Sequence, residues 1–226
     1  MKFCAKNKKT VTATAIIVFA GLSLYFFFAP GDMEGFVAAY NVYDSASVAE
    51  EISAHVPGVG ENVSRQKLNE VLGRVLTAEM TPEERQKLSE DGLVLVALLR
   101  TEINTIVEDG KKTEMALETL RLPSKKVGGF SARRKAGSIV ALAEEREQTI
   151  QDVEKISYDI NDQLESIFQG IIADHGALTP VRISALNQSL PEAEKQFDRL
   201  TESYKKLDDI EKKIDMESRE LFTGKR

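Results

Sequence analysis

The chain has no tryptophan, one cysteine and two histidines in 226 residues, and each scarcity removes a class of chemistry. With Cys4 as the sole cysteine an intramolecular disulfide is excluded, and no thiol nucleophile lies beyond residue 4. A thiol-free stretch suits oxidising and reducing compartments alike. His55 and His175 stand far apart, each beside a turn, and neither belongs to a Glu-x-x-His or His-Glu-x-x-His pattern. They read as surface turn residues, and the sequence offers no metal site. There is no Gly-x-Ser-x-Gly elbow, no Gly-x-x-x-x-Gly-Lys phosphate loop and no dinucleotide fingerprint. Adjacent carboxylates such as Glu144 with Glu145, or Asp208 with Asp209, sit in charged helical stretches where nothing supplies the desolvation a general acid needs. The expectation is a chain without catalytic, cofactor-binding or metal-binding residues, and so not an enzyme. A hydrolase acting through paired carboxylates survives only if two acids converge in a buried pocket.

Aromatic residues are also few, at 7%, while 29% of the chain is charged and 42% hydrophobic. Leu, Ile, Glu, Lys and Ala dominate, which is the composition of long, surface-rich helices and not of a sandwich or barrel. The net charge is -6, but Lys2, Lys6, Lys8 and Lys9 fall in the first nine residues with no acid among them, leaving -10 on everything downstream. Such a surface repels nucleic acid, so no nucleic-acid partner is expected.

Long hydrophobic runs are absent except for one. Val11 to Ala29 is an uncharged stretch of 19 residues, about 28 Å as a helix, against a hydrocarbon thickness of about 30 Å. A cleavable leader has a shorter apolar core and small residues at its cut. Here Phe26, Phe27 and Phe28 close the run and Pro30 follows Ala29, so the segment reads as a permanent signal-anchor. Four lysines precede it, while Asp32 and Glu34 follow it. The positive-inside rule then leaves the N-terminus cytoplasmic and the bulk of the chain periplasmic or otherwise extracytoplasmic. The expected location is the inner (cytoplasmic) membrane, crossed once. The next most apolar run, Gly92 to Arg100, is too short to span and reads as a buried helix face.

The rest reads as all-α: an elongated antiparallel helical bundle with coiled-coil-like long helices. The expected divisions are a basic tail at 1–10, the anchor at 11–29, and a juxtamembrane helix or linker at 30–60. A first helical half follows at 61–122, a basic Gly-containing loop at 123–137, and a long helical hairpin at 138–226. Phe36, Val37, Tyr40, Tyr43, Val48 and Ile52 have near-helical spacing, and Pro57 to Gly60 reads as a turn. Val63, Leu68, Val71, Leu72, Val75 and Leu76 form an amphipathic stripe. Thr81-Pro82-Glu83-Glu84 is a capping box with proline in the first turn. The helix it opens carries Leu88, Leu95, Leu98, Leu99, Ile103, Ile106, Met115, Leu117 and Leu120, with Gly110 as a candidate kink and Pro123 as its stop.

Beyond the loop, Ile139, Leu142, Arg146, Thr149, Val153, Ile156, Ile160, Gln163 and Ile167 step by three and four along a heptad seam. Asp174 to Pro180 breaks the helix, and Phe197, Leu200, Tyr204, Leu207, Ile214 and Leu221 trace a second seam, interrupted by Glu211 and Ser218. Helices joined this briefly pack antiparallel. The seams are expected to meet within one chain, and a homo-oligomer with Arg146, Thr149 and Gln163 as polar layers stays open.

One local feature rises above background. Lys125, Lys126, Arg133, Arg134 and Lys135 bring five positive charges and no acid into the stretch 123–137, inside an otherwise acidic domain. With Phe130 as an apolar anchor, these form the candidate partner-binding site, for an acidic protein surface, anionic lipid headgroups or an acidic wall polymer. The alternative is a solvated turn that balances neighbouring acidic helices. Two function classes follow: an anchored scaffold or assembly protein of the cell envelope with protein partners, or a ligand-binding or sensory bundle acting through a separate membrane partner. A pocket between helices would favour the second.

Overall fold

The computed structural model describes residues 31–55, 63–77 and 79–223, and within them every regular element is a helix. In chain order these are α1 (Met33–His55), α2 (Val63–Val75), α3 (Pro82–Lys126), α4 (Phe130–Ala173) and α5 (Pro180–Thr223). The tail at 1–10, the apolar segment at 11–29 and the turn at 57–60 lie outside the described residues. Among the described residues no helix is long and apolar enough to cross a membrane.

The capping box opens α3. The Thr81 hydroxyl accepts from the Glu84 N–H at 3.3 Å, and the Glu84 carboxylate accepts from the Thr81 N–H at 3.1 Å. The Thr81 N–H, and then the Thr81 hydroxyl donating to the same carboxylate at 3.0 Å, hold the Glu84 carboxyl below its usual range. Pro82 occupies the first turn, where its missing N–H has no intrahelical partner to lose.

Two expected interruptions of α3 do not occur: the helix runs unbroken through Gly110 and past Pro123 to Lys126. The reason is packing. Ala116, Leu117 and Leu120 before the proline, and Ser124 and Val127 after it, are buried. That burial outweighs a proline penalty of about 3 kcal/mol in an unsupported helix interior. The expected loop at 123–137 accordingly shrinks to residues 127–129, closed by Gly129 at φ 78°. Within the stretch expected as a helix or linker, Met33–His55 is a packed helix, with Phe36, Tyr40 and Tyr43 buried.

The long helices α3, α4 and α5 each span about 66 Å. Ion pairs from Lys135 to Glu220, Lys206 to Glu145 and Arg182 to Asp174 descend through α5 as they climb α4, so this pair is antiparallel. Most of both seams read from the sequence is buried within the chain. Ile139, Val153, Ile156, Ile160 and Ile167 on α4, and Leu200, Ile214 and Leu221 on α5, are buried. Some expected stripe members point outward instead: Met115 is 72% exposed and Leu98 50%.

The interior divides across the bundle and not at residues 123–137. One apolar cluster joins α1 to the end of α3, the start of α4 and the end of α5. The other joins α2 to the opposite ends of the same three helices. Arg146 is buried and donates to Glu147 at 3.0 Å, to Glu211 at 3.1 Å and to the Ser47 carbonyl, tying α1, α4 and α5 together. It is 3% exposed and so does not face solvent beside a shallow core.

At the far end, Arg85 is also buried and, among the described residues, engages backbone carbonyls alone: Val75, Thr77, Met80 and Gly176. Its charge faces the carbonyl ends of α2 and α4, where helix dipoles favour a cation. The turn it grips holds His175 and Gly176 in the left-handed region, at φ 51° and 75°.

Candidate functional site

The sequence-predicted basic residues occupy one end of the bundle, on two helices instead of one loop. Lys125 and Lys126 fall in the last turn of α3, Phe130 is the first residue of α4, and Arg133, Arg134 and Lys135 follow within its opening turns. The structure brings all six together and separates their roles. Arg133 donates from Nε to the Val127 carbonyl at 3.0 Å, clipping the connection, and Lys135 pairs with Glu220. Lys125, Lys126 and Arg134 are exposed and form no ion pair among the described residues. Phe130 and Leu122 stand 61% exposed beside them.

The same end receives the chain from its N-terminal side. The Asp32 N–H donates to the Lys126 carbonyl at 3.0 Å. Gly31 lies so close to the connection that a Cβ there would approach the Gly128 nitrogen to 1.7 Å. Asp32 itself caps α1 by accepting from the Gly35 N–H at 2.7 Å. Phe36, Tyr40 and Phe222 stack nearby, with centroids 5.3 to 6.5 Å apart, joining the end of α5 to the start of α1.

Electrostatically the two halves of the basic cluster differ. Lys125 and Lys126 lie at the C-terminus of α3, where the dipole favours them. Arg133, Arg134 and Lys135 crowd the N-terminus of α4, which has no acidic residue in its first turn and no side-chain cap. Cations there oppose the helix dipole. Local helix stability does not explain that placement.

A second feature escaped sequence reasoning. Between α3, α4 and α5 a small cleft of about 60 Å³, partly open to solvent, is lined by Leu99, Ile103, Ile160, Leu164, Phe197 and Tyr204 among others. Two acceptors line it without a hydrogen-bond partner among the described residues: Glu102 Oε2 and Asn161 Oδ1. Asn161 is 2% exposed, and its amide donates to the Val96 carbonyl at 3.2 Å, which leaves the oxygen for the cleft. Burial pushes the Glu102 carboxyl above its usual range. No sequence signal marks these two, because polar residues flanking a seam are ordinary; only the helix rotations bring them together.

His175 is exposed in the α4–α5 turn, and His55 is the last residue of α1. Glu144, Glu145 and Asp208 are solvated. Among the described residues no three His, Cys, Asp or Glu side chains group as metal ligands.

No protein-family model, curated protein or solved structure matches this chain.

Proposed function

We propose that this chain is a membrane-tethered helical scaffold of the cell envelope, crossing the inner membrane once through residues 11–29 and presenting a rigid bundle to protein partners outside the cytoplasm. The observation that carries this reading is the asymmetry of the bundle. Residue 31, two positions after the apolar run, is packed into one end, and the long helices reach about 66 Å from it. Most of both seams is buried within the chain, so the exposed ends and faces are what such a bundle offers to others. The test is crosslinking in intact cells followed by mass spectrometry. Reproducible crosslinks from the bundle to envelope proteins are expected; crosslinks confined to cytoplasmic proteins would overturn the reading.

The cleft favours a second reading, that of a bundle binding an apolar ligand with one hydrogen-bond donor, received by Glu102 and Asn161. Native mass spectrometry of the full chain released from membranes would then show a non-covalent adduct that Asn161→Leu abolishes. An adduct-free spectrum of the unaltered chain would remove this reading.

A further inference from the structure

The geometry points to the basic end of the bundle as a membrane-apposed surface that docks on anionic lipid headgroups, with Lys125, Lys126 and Arg134 meeting phosphate and Phe130 and Leu122 entering the headgroup boundary. The inference rests on the tethered reading and adds what that reading leaves open: which way the bundle faces and what holds it there.

Three observations converge. The first is chain length. Ala29 ends the apolar run and Gly31 is fixed against Gly128, so two residues, at most about 7 Å of extended chain, separate the run from the α3–α4 connection. If residues 11–29 lie in a bilayer, this end cannot stand away from it.

The second is charge. The five cations of the cluster have Asp32, Glu34 and Glu220 near them, but Asp32 is engaged in capping α1 and Glu220 in pairing Lys135. The surplus is local, since the chain downstream of the tail is acidic overall. A basic residue near an anionic bilayer contributes about a five-fold bias toward the surface. That bias offsets the unfavourable placement of cations at the start of α4.

The third is the apolar pair. Phe130 and Leu122, both 61% exposed, lie one helical turn from Arg133 and Arg134 and from Lys125 and Lys126 respectively. An aromatic ring with neighbouring lysines and arginines is the composition of an interfacial contact.

The test uses the full chain with Cys4→Ser, reconstituted into vesicles of phosphatidylcholine with or without phosphatidylglycerol. A reporter label is placed at Ser131→Cys beside the cluster or at Val181→Cys at the opposite end. In anionic vesicles the label at 131 is expected to be quenched by a lipid-bound quencher and shielded from a water-soluble one, while the label at 181 shows the reverse. Omitting phosphatidylglycerol, or introducing Lys125→Glu, Lys126→Glu and Arg134→Glu together, should move residue 131 toward the behaviour of residue 181. If the protein resists carbonate extraction yet residue 131 is as water-accessible as residue 181 in anionic vesicles, the docking proposal is overturned while the tether stands. If carbonate strips the protein from the vesicles, the tether fails, and the docking proposal with it.

Discussion

Arg85 Nη1 donates to the carbonyl of Gly176 at 2.8 Å, closing the start of α3 onto the α4–α5 turn across 91 positions of sequence. Gly176 can occupy that turn because it carries no Cβ: its φ is 75°, and a Cβ would meet the Pro82 carbonyl oxygen at 1.8 Å. The guanidinium supplies donors to carbonyls from α2, the 76–80 segment and the turn.

Arg85→Met keeps much of the apolar stem and removes every donor, so buried carbonyls lose their partners. A loss of about 3 kcal/mol is expected, from hydrogen bonds to a charged group worth about 1.5–3 kcal/mol each, partly recovered by entering water. Urea unfolding of the full chain measures it. A loss below about 0.5 kcal/mol, the level of an ordinary surface change, would show that the turn does not depend on this clamp.

Gly92 reports on helix separation. Its Cβ, if present, would sit 2.6 Å from the ring tip of Phe168, which is fully buried. In a free helix Gly→Ala is stabilising by about 1 kcal/mol. Here the ring cannot yield without disturbing the apolar core around it, and overpacking of about 1–3 kcal/mol dominates. Gly92→Ala should therefore destabilise, and Phe168→Leu in the same chain should relieve part of that loss. Comparing melting temperatures of the single and double variants decides the matter; additive losses would refute the contact.

Much of this fold was legible because its causes are local or periodic. The capping box at Thr81–Glu84 needs only four residues, and the step pattern from Ile139 to Ile167 needs only one helix. The stretch 123–137 reads as a loop because Pro, Gly and Ser speak for local propensity, whereas Leu120, Val127 and Ala136 are held by neighbours distant in sequence. Of its glycines, only Gly128 and Gly129 serve the connection, and Gly137 lies inside α4 with open space around it. The basic cluster was visible as composition, but its position beside Gly31 follows from antiparallel topology. Glu102 and Asn161 were invisible for a related reason: which flank of a seam faces a cleft depends on how the partner helices are rotated.

Glu102 should give stability a specific pH dependence. Burial raises its carboxyl pKa in the folded state, so the unfolded chain ionises first as pH rises. Stability from this group is then fullest at low pH, below its unfolded value, and falls as pH climbs through the folded pKa. Glu102→Gln removes the titration while keeping an acceptor in the cleft. The variant should be the more stable at pH 7, with its advantage shrinking toward pH 4. Urea titrations of both proteins across that range provide the check; a constant difference would mean that Glu102 does not titrate against burial.

The basic end makes opposite demands on its arginines. Lys125 and Lys126 gain from the C-terminal dipole of α3, about 0.3–1 kcal/mol each at most, while Arg134 loses a similar amount at the N-terminus of α4. Replacing all three by Gln therefore leaves a net loss of one such contribution, and the unfolding free energy should fall by less than about 1 kcal/mol. Arg133→Gln is different: it removes the Nε donor from the Val127 carbonyl, whose residue is fully buried, at a cost of about 1 kcal/mol. The single substitution should thus lower the melting temperature at least as far as the triple one, although it removes fewer charges. An order set by charge count instead would assign the cluster to balancing the acidic helices, and would place Arg133 with its neighbours rather than with the connection it closes.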